Sequence, residues 1–323
     1  MYIVTGGAGF IGSAFIAHLN SMGIDDILVV DSLGTSEKWK NLVNRRYMDY
    51  IQKSDFIEII ARDRVPEPVT ALIHMGACSS TTDRNVDYLM KNNTRYTQTL
   101  AKWALEHGVR FVYASSAATY GDGSAGYADD DETTRRLKPL NAYGFSKQVF
   151  DLWSLKAGLD SKMAGLKFFN VYGPNEYHKG DMSSVIYKAY NQIRETGRVR
   201  LFKSYRKEFA DGEQVRDFIY VKDCIDVIWW FVQNGNVNGI FNLGTGRART
   251  WKDLVNAVFR AMEKTPVIDY IDMPLSIRDR YQYHTEAVMT RLREAGYESP
   301  FRSLEDGVTD YVRNHLAGID PYL

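Results

Sequence analysis

A glycine-rich turn near the start of the chain constrains the fold more than any other feature. Gly7, Gly9 and Gly12 form a G-x-G-x-x-G pattern, and Gly6, Gly9 and Gly12 also have G-x-x-G-x-x-G spacing. Such a turn, placed between a strand and a helix, lets the backbone approach a pyrophosphate that the helix amino end binds. Asp31 stands 19 residues beyond Gly12, near the expected position of a ribose-binding acid. We therefore predict a nicotinamide-dinucleotide-binding unit at residues 1–31.

Short apolar segments alternate with helical patterns along the first half of the chain. We predict strands at Tyr2–Thr5, Ile27–Asp31, Ala71–His74, Phe111–Ala114 and Leu166–Asn170, and helices at Phe10–Met22, Thr82–His107 and Tyr143–Ala157. The strands are almost wholly apolar, as in a parallel sheet that is covered on both faces. This order predicts an α/β fold with a Rossmann-type, doubly wound parallel sheet.

The second half of the chain is less regular. Helical patterns occur at Ser183–Thr196, Trp251–Met262 and Ser303–His315, and strand-like segments at Val215–Val221 and Ile240–Leu243. A chain of 323 residues has the length of about two domains. We predict a dinucleotide-binding Rossmann domain of residues 1–170 with 218–245. Residues 171–217 with 246–323 would form a smaller C-terminal α/β substrate domain.

Composition narrows the partners and the compartment. Forty basic residues balance forty acidic ones, so no global field attracts nucleic acid or a membrane surface. The two cysteines are far apart, the six histidines are scattered, and we predict no metal site. Few cysteines indicate a reducing compartment, no signal peptide precedes the glycine turn, and the apolar runs are too short to span a bilayer. We predict a cytoplasmic protein with no nucleic-acid or membrane partner.

A tyrosine and a lysine supply a second motif. Tyr143 and Lys147 stand four residues apart and so lie on one face of the predicted helix. A nearby cation favours the phenolate, so we expect a lowered pKa that lets Tyr143 accept a proton from a substrate hydroxyl. Ser116 follows the fourth predicted strand, at the sheet edge where such folds bind ligands. Its hydroxyl can hydrogen-bond the same substrate group.

The glycine turn, the serine and the tyrosine–lysine pair together resemble the extended short-chain dehydrogenase/reductases, the NAD-dependent epimerase/dehydratase family. Almost the whole chain is similar to the branch that epimerises an ADP-activated heptose. The segments that carry this resemblance are 76–82 (GACSSTT), 114–121 (ASSAATYG), 169–174 (FNVYGP), 178–180 (HKG), 242–248 (NLGTGRA) and 280–282 (RYQ).

The resemblance implies an isomerase reaction. Bound NADP would take a hydride from C6 of ADP-D-glycero-β-D-manno-heptose, giving a 6-keto intermediate, and return it to the opposite face, giving the L-glycero epimer for lipopolysaccharide core biosynthesis. Inversion needs a proton acceptor on each side of the carbon, and the family's two bases fall on Tyr143 and Lys179. Lys147 would tune Tyr143 and hold the nicotinamide ribose. The resemblance also implies a homo-oligomer, a pentamer.

The resemblance further implies individual contacts. Besides Gly6, Gly9, Gly12, Lys147 and Lys179, the cofactor contacts would be Phe10, Ile11, Asp31, Ser32, Lys38, Lys53, Met75, Gly76, Ala77, Cys78, Ser79, Asn92 and Val171. Besides Ser116, the substrate contacts would be Asn170, Asp181, Lys188, Phe202, Lys203, Ser204, Tyr205, Arg216 and Tyr281. Arg216 suits a diphosphate because a guanidinium fork matches phosphate oxygens.

Three features depart from the family pattern, and one of them is the stretch Arg206–Gln214 before Arg216, which is longer than usual and rich in charge. Asp181 stands where the family commonly has a serine, so it would pair with Lys179 or repel a diphosphate. Lys188 stands where a family histidine contacts substrate, which preserves a hydrogen-bond donor.

The identity of the cofactor stays open between two dinucleotides. An acid at Asp31 generically favours NAD, because it bonds the ribose 2′-hydroxyl and repels a 2′-phosphate. The resemblance nonetheless favours NADP, with Lys38 and Lys53 neutralising the phosphate. We expect NADP and keep NAD as the alternative.

Two other functions remain as alternatives. One is another nucleotide-sugar epimerase of the UDP-hexose 4-epimerase type, which would not require the Lys179 segment. The other is a catalytically silent NAD(P)-binding regulator, a class that typically loses the tyrosine or the lysine. A sugar dehydratase would need an acid pair where this chain has Ala117 and Ala118.

Overall fold

The computed structural model describes residues 1–66, 68–278 and 281–323, with only the backbone at residues 276 and 277. Its strands are β1 Tyr2–Thr5, β2 Ile27–Asp31, β3 Asp49–Gln52, β4 Ala71–His74, β5 Arg110–Ser116, β6 Ala164–Phe168, β7 Asn170–Tyr172, β8 Val199–Phe202, β9 Val215–Tyr220, β10 Gly239–Leu243, β11 Ala248–Thr250 and β12 Ile268–Ile271.

Nine helices lie between these strands along the described chain, and three follow β12. They are α1 Phe10–Ser21, α2 Lys53–Ala61, α3 Val86–Leu89, α4 Tyr96–Glu106, α5 Asp131–Arg136, α6 Ala142–Lys156, α7 Val185–Thr196, α8 Val221–Gln233, α9 Trp251–Ala261, α10 Leu275–Arg278, α11 Thr290–Glu294 and α12 Leu304–Asp310. The π-helical turn Met90–Arg95 joins α3 to α4, and Tyr311–Leu316 extends α12. Short 3-10 segments span Glu37–Leu42, Ala117–Tyr120, Asp160–Lys162 and Tyr177–Met182.

A seven-stranded parallel sheet forms the larger layer, and the predicted α/β class with a Rossmann-type sheet is confirmed. Its strand order is β10-β6-β5-β4-β1-β2-β3, and every neighbouring pair is parallel. The chain reverses direction across the sheet between β1 and β4, which is where open sheets of this kind bind ligands. Strands β2, β4 and β6 are buried at every residue, because helices cover both faces.

Two smaller sheets lie beside the large one. Strand β9 pairs with β7 in parallel and with β11 in antiparallel fashion, and β12 pairs with β8 in parallel. This arrangement corrects one predicted strand. The segment Leu166–Asn170 is not a single strand, because β6 ends at Phe168 and Asn170 begins β7 in another sheet. We did not predict β3, α2 or α8. The α8 sequence does have a helical apolar period, with Val221, Cys224, Ile225 and Ile228 buried on one face.

Candidate active site

The glycine turn lies where the chain leaves β1 and enters α1. Gly6 has a φ of 67°, and the Gly9 amide donates to the Gly6 carbonyl at 2.9 Å. A Cβ on Gly12 would lie 2.1 Å from the same carbonyl oxygen. Among the described residues, α1 has no side-chain cap and no acid in its first turn. Its amide donors therefore suit an anion, and the turn fits a dinucleotide pyrophosphate.

Replacing Gly12 by alanine is expected to weaken dinucleotide binding by about 1–3 kcal/mol, because the new methyl group displaces the turn. The dissociation constant, measured by fluorescence titration, should rise about 5- to 150-fold. Gly235→Ala is the matched control, since a Cβ there would meet nothing within 4 Å. Wild-type affinity in Gly12→Ala would show that the close packing of the turn is not needed.

Asp31 ends β2 beside the turn, and it is buried. Its carboxylate accepts hydrogen bonds from the Ala8 amide at 2.9 Å and the Ser32 amide at 2.6 Å. The Lys38 ammonium forms an ion pair with the same carboxylate at 2.6 Å. The acid that could repel a phosphate is therefore already paired with a lysine.

Lys53 supplies a second cation to this region. Its ammonium donates to the Asn92 side-chain oxygen at 2.5 Å. Burial lowers the pKa of Lys53, and the positive charge of Lys38 lowers it further. The two predicted phosphate-binding lysines therefore lie close enough to act on each other.

The segment after β4, residues 75–79, is held by an asparagine that we did not predict. Asn93 accepts a hydrogen bond from the Cys78 amide at 2.9 Å and donates to the Cys78 carbonyl at 3.0 Å. Its amide also donates to the Ser146 hydroxyl on α6 at 3.0 Å. Asn93 lies next to Asn92 in the π-helical turn, and such turns are frequent at functional sites. A helical sequence pattern carries no signal for a π turn.

Ser116 and Tyr143 come together from β5 and α6. Ser116 acts on the Tyr143 phenol as a hydrogen-bonding group, and this interaction lowers the pKa of Tyr143. Burial has the larger effect and raises that pKa. Our prediction that Lys147 lowers the pKa of Tyr143 is therefore wrong for the protein chain itself. The Lys147 ammonium instead donates to the Ala114 carbonyl at 2.7 Å, and desolvation of the phenol dominates.

A buried network of charged and polar side chains surrounds Asp151 on α6. Burial lowers the pKa of Lys147 to about 8, and the negative charge of Asp151 opposes this shift. The Asp151 carboxylate accepts from the Tyr113 hydroxyl at 3.1 Å, the Ser115 hydroxyl at 2.6 Å and the Lys167 ammonium at 2.7 Å. We did not predict this network. The only sequence signal is that Asp151 follows Lys147 by four residues on one helix face.

Lys179 lies in the 3-10 segment Tyr177–Met182. Its ammonium is 5.2 Å from the centre of the Phe10 ring at the start of α1, so it lies beside the glycine turn. Burial lowers the pKa of Lys179, the negative charge of Glu176 raises it, and the positive charge of Lys188 lowers it. Lys179 is partly buried, and a lysine with a lowered pKa can act as an acid or a base.

One cleft of about 1020 Å³ is lined by side chains from the large sheet and from the smaller sheet that contains β7 and β9. Its lining includes the catalytic candidates Ser116, Tyr143 and Lys179. It also includes residues for which we predicted cofactor or substrate contacts, namely Ser79, Asn170, Val171, Arg216 and Tyr281. The cleft is large enough for a nucleotide-sized ligand.

Arg216 contributes a buried guanidinium to this cleft. It donates to the carbonyls of Val215 at 2.8 Å and Gln282 at 2.5 Å. Its guanidinium carbon lies 5.2 Å from the Tyr281 ring centre and 5.6 Å from that of Trp251. Burial lowers the pKa of Arg216 from its high ordinary value. A cation flanked by aromatic rings suits a phosphate or a nucleotide.

Several predicted substrate contacts lie elsewhere than in the lining of this cleft. Asp181 is exposed, and its backbone carbonyl accepts from the Lys188 ammonium at 2.6 Å. The segment Phe202–Tyr205 starts at the end of β8, with the Phe202 ring centre 6.4 Å from that of Tyr281. Arg280, part of one motif, lies outside the described residues.

Two kinds of feature are missing from the described part of the chain, a metal-binding cluster and a membrane-spanning helix. Within it, no group of three or more histidine, cysteine or acidic side chains has an arrangement that could hold a metal ion. None of the described helices combines the length and apolar character needed to cross a membrane.

Comparisons with known proteins identify the family of the chain. Residues 2–244 match the model of the NAD dependent epimerase/dehydratase family. The chain is 62% identical over 323 residues, all of both chains, to an ADP-L-glycero-D-manno-heptose-6-epimerase of Nitratidesulfovibrio vulgaris strain DP4.

Two solved structures are similar over almost their whole length. The ADP-L-glycero-D-manno-heptose-6-epimerase of Helicobacter pylori aligns with a TM-score of 0.82 and 27% identity, covering 97% of this chain and 95% of that one. The UDP-glucose 4-epimerase of Thermotoga maritima, solved with UDP-glucose, aligns with a TM-score of 0.76 and 27% identity, covering 97% and 98%.

Proposed function

The chain belongs to the NAD dependent epimerase/dehydratase family, and we propose that it converts ADP-D-glycero-β-D-manno-heptose to its L-glycero epimer at C6. This reaction would serve lipopolysaccharide core biosynthesis. The observation that carries the proposal is that Tyr143 and Lys179, from different elements, line the same cleft. Full-length identity to a heptose epimerase supports the choice of sugar.

The cofactor would bind along the sheet edge between β1 and β4. The amino end of α1 would hold the pyrophosphate, and Lys147 would hold the nicotinamide ribose. When bound, the nicotinamide ring accepts a hydride from C6 and later returns it to the opposite face. The Met75–Ser79 segment and Phe10 would flank the dinucleotide, because the Gly76 backbone contacts the glycine turn.

Two acid–base groups are needed because the hydride returns to the other face of the carbon. One group accepts the proton of the C6 hydroxyl as the C–H bond breaks, which leaves a ketone. The other donates a proton to the ketone oxygen as the new C–H bond forms. We assign these roles to Tyr143 and Lys179, with Ser116 hydrogen-bonding the same oxygen. In the reverse direction the two groups exchange roles.

The substrate would occupy the rest of the cleft. Arg216 would bind the diphosphate, and Asn170 and Tyr281 would contact the sugar nucleotide. The segment Phe202–Tyr205 lies next to Tyr281 through the Phe202 ring, so we assign it to the adenosine end. Lys188 and Asp181 would form the outer rim.

NADP is the dinucleotide that we propose, because Asp31 is paired with Lys38 and Lys53 lies nearby. Lys38→Ala is expected to weaken NADP binding about tenfold, the loss of one charged hydrogen bond, and to leave NAD binding almost unchanged. Titration of both dinucleotides measures the two constants. Lys40→Ala, an exposed lysine two residues away, is the control. Equal losses for both dinucleotides would contradict a 2′-phosphate site.

A second candidate function is epimerisation of a UDP-hexose, favoured by the similarity to the Thermotoga maritima enzyme. The two candidates differ in nucleotide and in sugar. Incubation with equal concentrations of ADP-heptose and UDP-glucose, with separation of the epimers by chromatography, decides between them. We expect conversion of ADP-heptose alone. Turnover of UDP-glucose alone would replace our proposal with the second candidate.

Assembly and location belong to the proposal as well. We propose a cytoplasmic homo-oligomer, a pentamer, in which residues 1–170 with 218–245 form the dinucleotide-binding domain and residues 171–217 with 246–323 the substrate domain. Sedimentation equilibrium measures the assembly directly.

A further inference from the structure

Glu176 is a buried carboxylate without a role in the steps above. Its side chain is 0% exposed. It accepts hydrogen bonds from the Gly173 amide at 3.3 Å, the Ser184 amide at 2.5 Å and the Ser184 hydroxyl at 2.7 Å. These partners stand on opposite sides of the 3-10 segment Tyr177–Met182. One side chain thus closes both ends of the loop that carries Lys179.

The same loop is closed through its backbone. The Lys179 amide donates to the Glu176 carbonyl at 3.0 Å. Ser184 caps α7 by accepting from the Tyr187 amide at 3.2 Å, so the Glu176 carboxylate also lies at the amino end of a helix, where a negative charge is stabilised. The loop that carries Lys179 is therefore attached to the amino end of α7.

Among the described residues, few charged groups face the Lys179 ammonium. The carboxylate of Glu176 and the ammonium of Lys188 act on Lys179 with opposite signs. Glu176 is itself faced by Lys179 and by the phenols of Tyr177 and Tyr311. Burial raises the pKa of Glu176, and the hydrogen bonds from Ser184 and the charge of Lys179 oppose this.

We propose that Glu176 is a positioning residue for Lys179, whose carboxylate both closes the loop and stabilises the protonated ammonium. Lys179 must carry a proton when it donates to the ketone oxygen. A partly buried ammonium without a counter-charge would lose that proton too readily. The inference deepens the proposed function, since it rests on Lys179 being one of the two acid–base groups.

The test measures the protonation of Lys179 without catalysis. The cofactor-bound protein is treated briefly with acetic anhydride over a range of pH, and mass spectrometry quantifies acetylation of Lys179. Glu176→Gln keeps the length of the side chain but loses the charge and one of the two acceptor oxygens. In this variant the midpoint pH of Lys179 acetylation should move down by about one pH unit. At pH values below the midpoint, acetylation of Lys179 should become about tenfold faster. Lys188→Met should move the midpoint upward, because a like charge is removed.

Two further variants make the outcome decisive. Asp181→Asn neutralises an exposed carboxylate in the same 3-10 segment and should leave the midpoint in place. Glu176→Asp draws the carboxylate back and should move the midpoint down by less than Glu176→Gln, so it tests the idea even if Glu176→Gln does not fold. An unchanged or raised midpoint in a folded Glu176 variant would overturn the inference. The epimerase assignment would survive that result, because labelling requires no turnover.

Discussion

Replacing Tyr143 by phenylalanine is expected to slow heptose interconversion about 100- to 10,000-fold, the usual contribution of a positioned acid or base. Only the phenolic oxygen is lost, so the ring still packs in the cleft and the dinucleotide stays bound. Initial rates by NMR measure the loss in both directions. Nucleotide released on denaturation measures the cofactor content.

Tyr190→Phe is the matched control for this variant. Its hydroxyl donates to the Leu316 carbonyl at 3.0 Å, and its ring is buried on α7. We expect a small loss of stability and a normal rate. If Tyr143→Phe kept the wild-type rate, the phenol would have no part in proton transfer.

Lys179→Met should produce a loss of similar size, about 100- to 10,000-fold. Methionine keeps much of the length of the lysine side chain but cannot carry a proton. The methionine side chain can still cover the Phe10 ring, while the ammonium and its acid–base function disappear. The rate should fall in both directions, because the two groups exchange roles when the reaction runs backwards.

The control for this second variant is Lys162→Met, at an exposed lysine in a 3-10 segment next to β6. It should leave the rate unchanged. A Lys179→Met protein that epimerised normally, with Tyr143→Phe inactive, would mean that one base serves both faces.

Most strands of the large sheet and the glycine turn could be predicted because their signals are local, whereas β3 was missed. Strand β1, the turn and α1 follow one another without a gap, and a buried parallel strand such as β2 is an unbroken apolar run. The tyrosine–lysine pair is local too, since four residues make one helical turn. These parts of the structure need no knowledge of distant contacts.

The supporting groups could not be predicted, because they depend on distant segments meeting. Glu176 resembles any loop acid until the fold buries it against Ser184. Asn93 becomes important only because a π turn aims it at the backbone of Cys78. Lys167 reads as an interruption of an apolar strand, yet its ammonium is paired with Asp151 in the interior.

The prediction that the pKa of Tyr143 is lowered was wrong for a related reason. Spacing along a helix predicted the neighbouring cation, but it does not reveal how deeply a phenol is buried. Desolvation, which raises the pKa of Tyr143, outweighs the interaction with Ser116, which lowers it. The supporting role of Lys147 therefore stays a proposal for the cofactor-bound protein, in which Lys147 would hold the nicotinamide ribose.

The most direct measurement follows ADP-D-glycero-β-D-manno-heptose by NMR during incubation with the purified protein, with no dinucleotide added. We predict steady conversion to the L-glycero epimer over many turnovers, because the cofactor is reduced and reoxidised within one site. Conversion that needs added dinucleotide in proportion to product, or no conversion at all by protein that retains its dinucleotide, would contradict C6 epimerisation with a recycled cofactor.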